Sequence, residues 1–332
     1  MIDLAGKKVI ISRTDSIGDV MLTLPTCTWI KNKFDNVSIV FLGKGYTRDV
    51  VEAFQDVDEF LDWEELDKLS SLDQTKRLGN MNVDTIIHVF PNRAIAQLAK
   101  KAKIPNRIGT SHRTFHLLTC NFRPNFTRKR SDLHESQLNH ELLRPLGLTE
   151  LPTLDQVIET TSNFKVEATE LPQEFESLKR YTILHPKSQG SAKEWSLDKY
   201  MELALGLANE GKTVVFTGTQ SEGAQFKGLI PSHENVIDTT GKLSLKQLMC
   251  LISKADNLVA CSTGPLHIAG FLGVNTIGLY APKRPIHPGR WGALGPHVNI
   301  IVKDENCTDC LDGNDCNCIQ NITVKAVLQK LK

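Results

Sequence analysis

The sequence predicts an α/β protein made of two domains, each built on a parallel sheet, the two facing each other across a cleft. Short apolar runs recur along the 332 residues with helical periods between them, and strands separated by helices pair in parallel through crossovers. The chain is also longer than one ordinary hydrophobic core serves. Between the halves, residues 159–176 are polar, contain Pro172 and lack a convincing period, which suits a linker. The domains are therefore expected at residues 1–165 and 178–332.

In the first half, strands are expected at 9–12, 38–42, 59–61, 85–89 and 107–109. Helical periods fit 20–33, 48–54, 66–78, 93–101 and 134–146. The first strand runs into Arg13-Thr14-Asp15-Ser16-Ile17-Gly18-Asp19. Carboxyl ends of strands are where α/β proteins place ligands. Asp19 stands where a helix cap would stand and needs no function to be there. Pro25 falls inside the 20–33 period, so that helix either kinks or starts late.

The second half repeats the alternation. A strand at 182–185 runs into the loop from His185 to Trp195, which holds hydroxyls, a glycine, Lys187 and Lys193. Lysine is a compact charge suited to a phosphate oxygen. A helix at 197–210, a strand at 213–217, a polar helix at 221–229, a strand at 236–238 and a helix at 245–253 follow. Leu258-Val259-Ala260 then ends a strand, Cys261-Ser262-Thr263-Gly264 makes a tight turn, and Pro265 opens a helix that stops at Gly273. Pro at the first helical position wastes no donor, and the Ser or Thr before it can cap. Gly264 allows close approach to the backbone, and the helix dipole favours an anion there. The next strand is 276–280, and the last helix 324–331. Each loop alone could be an ordinary cap or a solubilising surface; two at strand ends of one sheet favour a nucleotide diphosphate.

Composition bounds the class. Hydrophobic residues make up 40% and charged residues 23%, as in a soluble globular protein, and the net charge of +1 says nothing about partners. The first residues lack an apolar signal core, and no run approaches the roughly 20 residues that span a bilayer. Eight cysteines without a secretion signal suggest reduced thiols in the cytoplasm. Charge is uneven: residues 85–131 contain no Asp or Glu but carry Arg93, Lys100, Lys101, Lys103, Arg107, Arg113, Arg123, Arg128, Lys129 and Arg130. Such a block binds an anionic substrate, a membrane surface or nucleic acid, or is a solvated basic face. Phe115, Phe122 and Phe126 are the only aromatics interleaved with these charges, which argues against a dedicated nucleic-acid partner.

Arg13-x-Asp15-x-x-Gly18-Asp19-x-x-x-Thr23-x-Pro25, the His185-Pro186 to Lys193-x-Trp195 loop, and Ser262-Thr263-Gly264-Pro265-Leu266-His267 together resemble glycosyltransferase family 9, the lipopolysaccharide heptosyltransferases. The resemblance covers nearly the whole chain, in order. It implies the GT-B fold, two Rossmann-like domains with acceptor in the first and sugar nucleotide in the second. It implies inverting transfer without a metal, with no cofactor beyond a donor such as ADP-heptose, in the bacterial cytoplasm or peripherally on the inner face of the inner membrane. Asp19 would be the catalytic base. Ser188, Lys193 and the Thr263-Gly264 turn would contact the diphosphate, Glu222 the ribose, and Gly241-Lys242-Leu243 the nucleoside base. His267, one turn from the site, would bond backbone or phosphate. Arg13, Arg93, Arg113 and Arg123 would meet an anionic lipopolysaccharide-core acceptor. The family's heptosyltransferases usually carry Asp just before the Thr-Gly pair, where this chain has Ser262, so the donor sugar stays open.

The tail Cys307-x-x-Cys310-x5-Cys316-x-Cys318 could chelate zinc, although Cys-x-Cys is an unusual half of a zinc knuckle, and unligated thiols in a loop are the expectation. Two other functions compete. A sugar-nucleotide epimerase needs an acid/base pair around one sugar, and the sequence offers one clear base. A non-catalytic nucleotide- or nucleic-acid-binding protein would use the basic block as its functional surface.

Overall fold

Strands buried on both faces read as continuous apolar runs, and that is how Val9-Ile10-Ile11 and Ile39-Val40-Phe41-Leu42 read. The computed structural model describes residues 1–129, 131–314 and 316–332. It divides into two compact units, Met1–Lys165 and Val166–Lys332. The first holds β1 (Lys8–Ser12), β2 (Ser38–Gly43), β3 (Glu59–Asp62), β4 (Thr85–His88) and β5 (Asn106–Ile108), all parallel, in the order β3-β2-β1-β4-β5. The second holds β6 (Tyr181–His185), β7 (Thr213–Phe216), β8 (Val236–Asp238), β9 (Asn257–Cys261), β10 (Asn275–Tyr280) and β11 (Val298–Val302), all parallel, in the order β11-β10-β9-β6-β7-β8.

Strand order reverses between β1 and β4 in one sheet and between β6 and β9 in the other. Those reversals open crevices at the carboxyl ends of the strands. The loops singled out from the sequence, after β1, β6 and β9, are the ones that border them. Fully buried Ile10, Val40 and Ile86 in the first unit and Leu184, Val214 and Val259 in the second fix the sheets against their helices. Each such side chain contributes about 1.5–3 kcal/mol.

Several helices differ from their sequence periods. The 20–33 period is two helices, Ile17–Met21 and Pro25–Lys33, because Pro25 has no N–H to continue the first and instead opens the second. The 66–78 period divides into Trp63–Asp67 and Ser71–Asn80, with Ser70 capping the latter. The 134–146 period is Glu135–His140 followed by a 3-10 turn, Glu141–Leu146, around Pro145. The 221–229 period is reduced to Gln220–Gly223 and a 3-10 turn, Lys227–Leu229. The last helix is Val324–Leu328. Within the expected linker, Phe175 is buried on the short helix Gln173–Glu176, which belongs to the second unit. Half-buried β11 has no clean alternation and was not legible. Among the described residues, no helix is long and apolar enough to cross a membrane.

Candidate functional site

In the first unit, the turn after β1 delivers a buried arginine. Arg13 donates to Asp15 at 2.7 Å, to Glu135 at 3.3 Å, to Asn139 at 3.4 Å, and to Asp19. Glu135 and Asn139 also receive Arg128, at 3.1 and 2.8 Å. A planar guanidinium can hold several acceptors in fixed directions at once. Asp19 is not the helix cap: Ser16 is, and Asp19 lies within the first turn, where Ser16 Oγ donates to its second oxygen. Its side chain is 19% exposed against 4% for Arg13, so the carboxylate can be reached and the arginine cannot. Arg13, expected to meet an acceptor, is buried and donates to Asp19.

Burial alone would raise the Asp19 pKa. The Arg13 charge and the hydrogen bonds from Ser16 and Arg13 outweigh it and hold the carboxyl below its usual range. Asp15 goes the other way: burial, together with the charge of Asp19, pushes it up to about 6 against the pull of Arg13. Opposite Ser12 across the β1–β4 pair lies His88, whose two ring nitrogens, like Ser12 Oγ, have no hydrogen-bond partner among the described residues. Burial lowers His88 to about 3 and so keeps its ring neutral. Neither Ser12 nor His88 was singled out from sequence, since both read as ordinary strand ends.

In the second unit, His185 closes β6 with Nδ1 at 3.0 Å from Thr217 Oγ1, and burial lowers its pKa despite nearby Glu222 and Glu194. The following loop turns through Gln189 (φ +50°) and Gly190 (φ +81°). Glu194, a residue with no distinguishing signal in the sequence, organises it. Its Oε1 accepts the Ser188 N–H and hydroxyl, both at 2.8 Å, and its Oε2 pairs with Lys187. Burial would raise Glu194, but these bonds outweigh it and lower its pKa. Ser188 is therefore buried and committed to shaping the loop. Lys193 and Ser262 line one small pocket together with Ser191 and Tyr280.

Beyond β9, Thr263 is the N-cap of helix Gly264–Phe271, with Pro265 in its first turn. The Thr263 hydroxyl makes no capping bond and is buried without a hydrogen-bond partner among the described residues. The first-turn N–H groups of a helix have no partner within it. A lysine, an unspent hydroxyl and a helix N-terminus thus border the β6–β9 reversal, which is anion-binding chemistry. His267 is buried one turn further along the same helix.

Glu222 is buried, and its Oε2 accepts the Thr219 N–H at 2.7 Å and hydroxyl at 2.9 Å in a capping box. The Thr-x-x-Glu spacing was the signal for that. Gly241, at φ +71°, approaches so closely that a Cβ would stand 3.0 Å from the Gln220 Cα, and its N–H donates to Gly218 O at 2.9 Å. Lys242 reaches Glu174 at 3.2 Å and lies 5.3 Å above the Phe175 ring, while Leu243 is half-buried.

The basic block is partly scaffold. Arg107 donates to Thr119 O at 2.7 Å, Lys100 to Leu118 O at 2.8 Å, and Arg123 to Cys120 O. Arg93 and Arg113 are exposed, in the connections that follow β4 and β5. Arg130 lies outside the described residues. In the tail, the four sulfurs of Cys307, Cys310, Cys316 and Cys318 converge within 4.8 Å of one another.

The family model for glycosyltransferase family 9 (heptosyltransferase) matches residues 72–319. A Haemophilus influenzae protein named as a glycosyltransferase is 27% identical over 301 residues, covering 86% of this chain and 85% of its own. Lipooligosaccharide heptosyltransferase 2 of Campylobacter jejuni is 19% identical over 338 residues, covering 98% of each. The solved structure of Escherichia coli ADP-heptose lipopolysaccharide heptosyltransferase II is 19% identical with a TM-score of 0.72, covering 98% of this chain and 97% of that one. That likeness identifies the pair of parallel sheets as the GT-B fold.

Proposed function

The chain belongs to glycosyltransferase family 9, and from that premise we propose that it transfers a heptose from ADP-heptose to an anionic lipopolysaccharide-core acceptor, inverting the anomeric carbon without a metal ion. The observation that carries the reading is the pairing of Lys193 and Ser262 in one pocket, beside the unspent Thr263 hydroxyl at a helix N-terminus. These groups would stabilise negative charge building on the departing ADP, the task a divalent cation performs elsewhere. The turn at 241–243, fixed against residues 218–220, would receive the nucleoside.

Asp19, kept ionised by Arg13 and Ser16, would take the acceptor hydroxyl proton as that oxygen closes on an oxocarbenium-like carbon. Arg93 and Arg113 would meet the acceptor's anionic groups. Leu117 and Leu118 are 55% and 75% exposed on the helix behind Arg113, and they support peripheral contact with the inner face of the membrane. The lipopolysaccharide and lipooligosaccharide heptosyltransferases among its relatives support the substrate class.

The test is transfer by purified protein from a panel of ADP- and UDP-sugars to a core acceptor, followed by ADP release and product mass. ADP-heptose should be preferred, and neither added Mg²⁺ nor brief chelation should change the rate. Preference for another sugar nucleotide would replace the donor, and an Mg²⁺ requirement would remove the metal-free mechanism.

A further inference from the structure

Residues 304–317 contain a single aliphatic side chain, Leu311, and it is 42% exposed. So short and polar a segment cannot fix itself by burying apolar surface. It nevertheless brings four sulfurs within 4.8 Å of one another, with the Cys310 and Cys316 Sγ atoms 2.7 Å apart and the Cys318 N–H directed at Cys316 Sγ at 3.3 Å. Four thiolates about 2.3 Å from a tetrahedral ion stand roughly 3.8 Å apart, so little adjustment is needed to receive one. Cys310 and Cys318 are buried and Cys307 and Cys316 half-buried, which leaves the cluster closed rather than open to a substrate.

We propose that Cys307, Cys310, Cys316 and Cys318 bind one structural metal ion as a tetrathiolate, Zn²⁺ being the ion suited to this closed donor set, and that the ion anchors the loop carrying Lys193. Binding releases the thiol protons to solvent, forms four metal–sulfur bonds and changes no oxidation state. The anchoring runs through named contacts. Trp195 Nε1 and Lys199 Nζ both donate to Ile322 O, at 3.0 and 2.8 Å, and Gln320 Nε2 donates to Glu194 O at 2.6 Å. Cys310, Cys318, Ile319 and Ile322 share a core with Trp195. Lys283 Nζ donates to Asn314 O, within the same segment, at 3.3 Å.

Full-length protein purified under reducing conditions, without chelator or added metal, should contain about one zinc per chain by elemental analysis. Cys307→Ser and Cys316→Ser, both at half-buried positions, should each lose it. One iron per chain with a thiolate charge-transfer band would keep the tetrathiolate site and exchange the ion. Should reduced wild-type protein fail to take up Zn²⁺, and Co²⁺ give no tetrahedral-thiolate spectrum, the site does not exist. A Cys310–Cys316 disulfide in place of metal would equally overturn the proposal. Hydrogen exchange tests the anchoring separately from any sugar chemistry: residues 187–196 and 319–323 should exchange faster once the metal is extracted. Unchanged protection there would remove the link to the loop.

Discussion

Arg13 shows how a single buried side chain sets the chemistry of its neighbours. It faces Asp15, Asp19 and Glu135 together, so the state of one carboxyl is felt by the others. Asp19→Asn preserves size but removes a charge that buried Arg13 pairs with, so melting temperature should fall somewhat at neutral pH while the fold is kept. Basicity is lost, and transfer should fall roughly 10²–10⁴-fold with ADP affinity unmoved, as kinetics and calorimetry would report. The pH profile should carry the signature of Asp15, pushed up to about 6. Below that pH Asp15 is neutral, Arg13 bears harder on Asp19, and the base weakens, so kcat/KM should fall as pH drops through about 6. Asp15→Asn should abolish that limb and leave a lower, flatter profile. Stability has the opposite sense: folded Asp15 binds its proton more tightly than the unfolded chain does. This group's contribution is therefore present below about pH 4 and lost as pH rises to about 6. Little of this was legible, because Glu135 is 122 residues from Arg13 in sequence.

At the scale of elements, the strands were the most legible part, because runs such as Val-Ile-Ile between turn residues have few other ways to be buried. The helix interruptions at Pro25 and Ser70 were less so, since apolar period carries across a short break. The β6 and β9 turns could be read from their residue types, but Ser188 could not be told apart from Lys193: Glu194 captures one and leaves the other in the pocket. Lys193→Ala should weaken ADP binding and turnover together, because its charge meets the diphosphate in ground and transition states alike. Thr263→Val gives a sharper contrast. Removing a buried hydroxyl that has no partner should leave stability unchanged or raise it by about 1 kcal/mol, while ADP affinity falls. A loss of stability with ADP binding intact would make that hydroxyl structural. On helix Thr114–Thr119, replacing exposed Leu117 and Leu118 by Ser should cost little stability but reduce sedimentation with anionic vesicles.

At the scale of the molecule, the two sheets repeat one plan, a reversal of strand order with its flanking loops at the carboxyl edge; alternation alone foretold the parallel pairing but not the order. Nor was the convergence of residues 307–318 legible, because cysteine spacing does not say which way the intervening chain turns. That tail has a consequence for biosynthesis. β11 ends at Val302, so every strand of the second sheet has been made before the first of the four clustered cysteines emerges from the ribosome. Trp195, by contrast, waits 127 residues for the carbonyl of Ile322 that receives its indole N–H. A nascent chain can therefore complete its sheet while the loop at Lys193 is still unmoored. A stop codon after residue 303 should yield a product with near-native strand content by circular dichroism but greatly weakened ADP binding. Sheet completion and donor competence would then be separate events in the life of one polypeptide, the second timed by the arrival of residues 304–323.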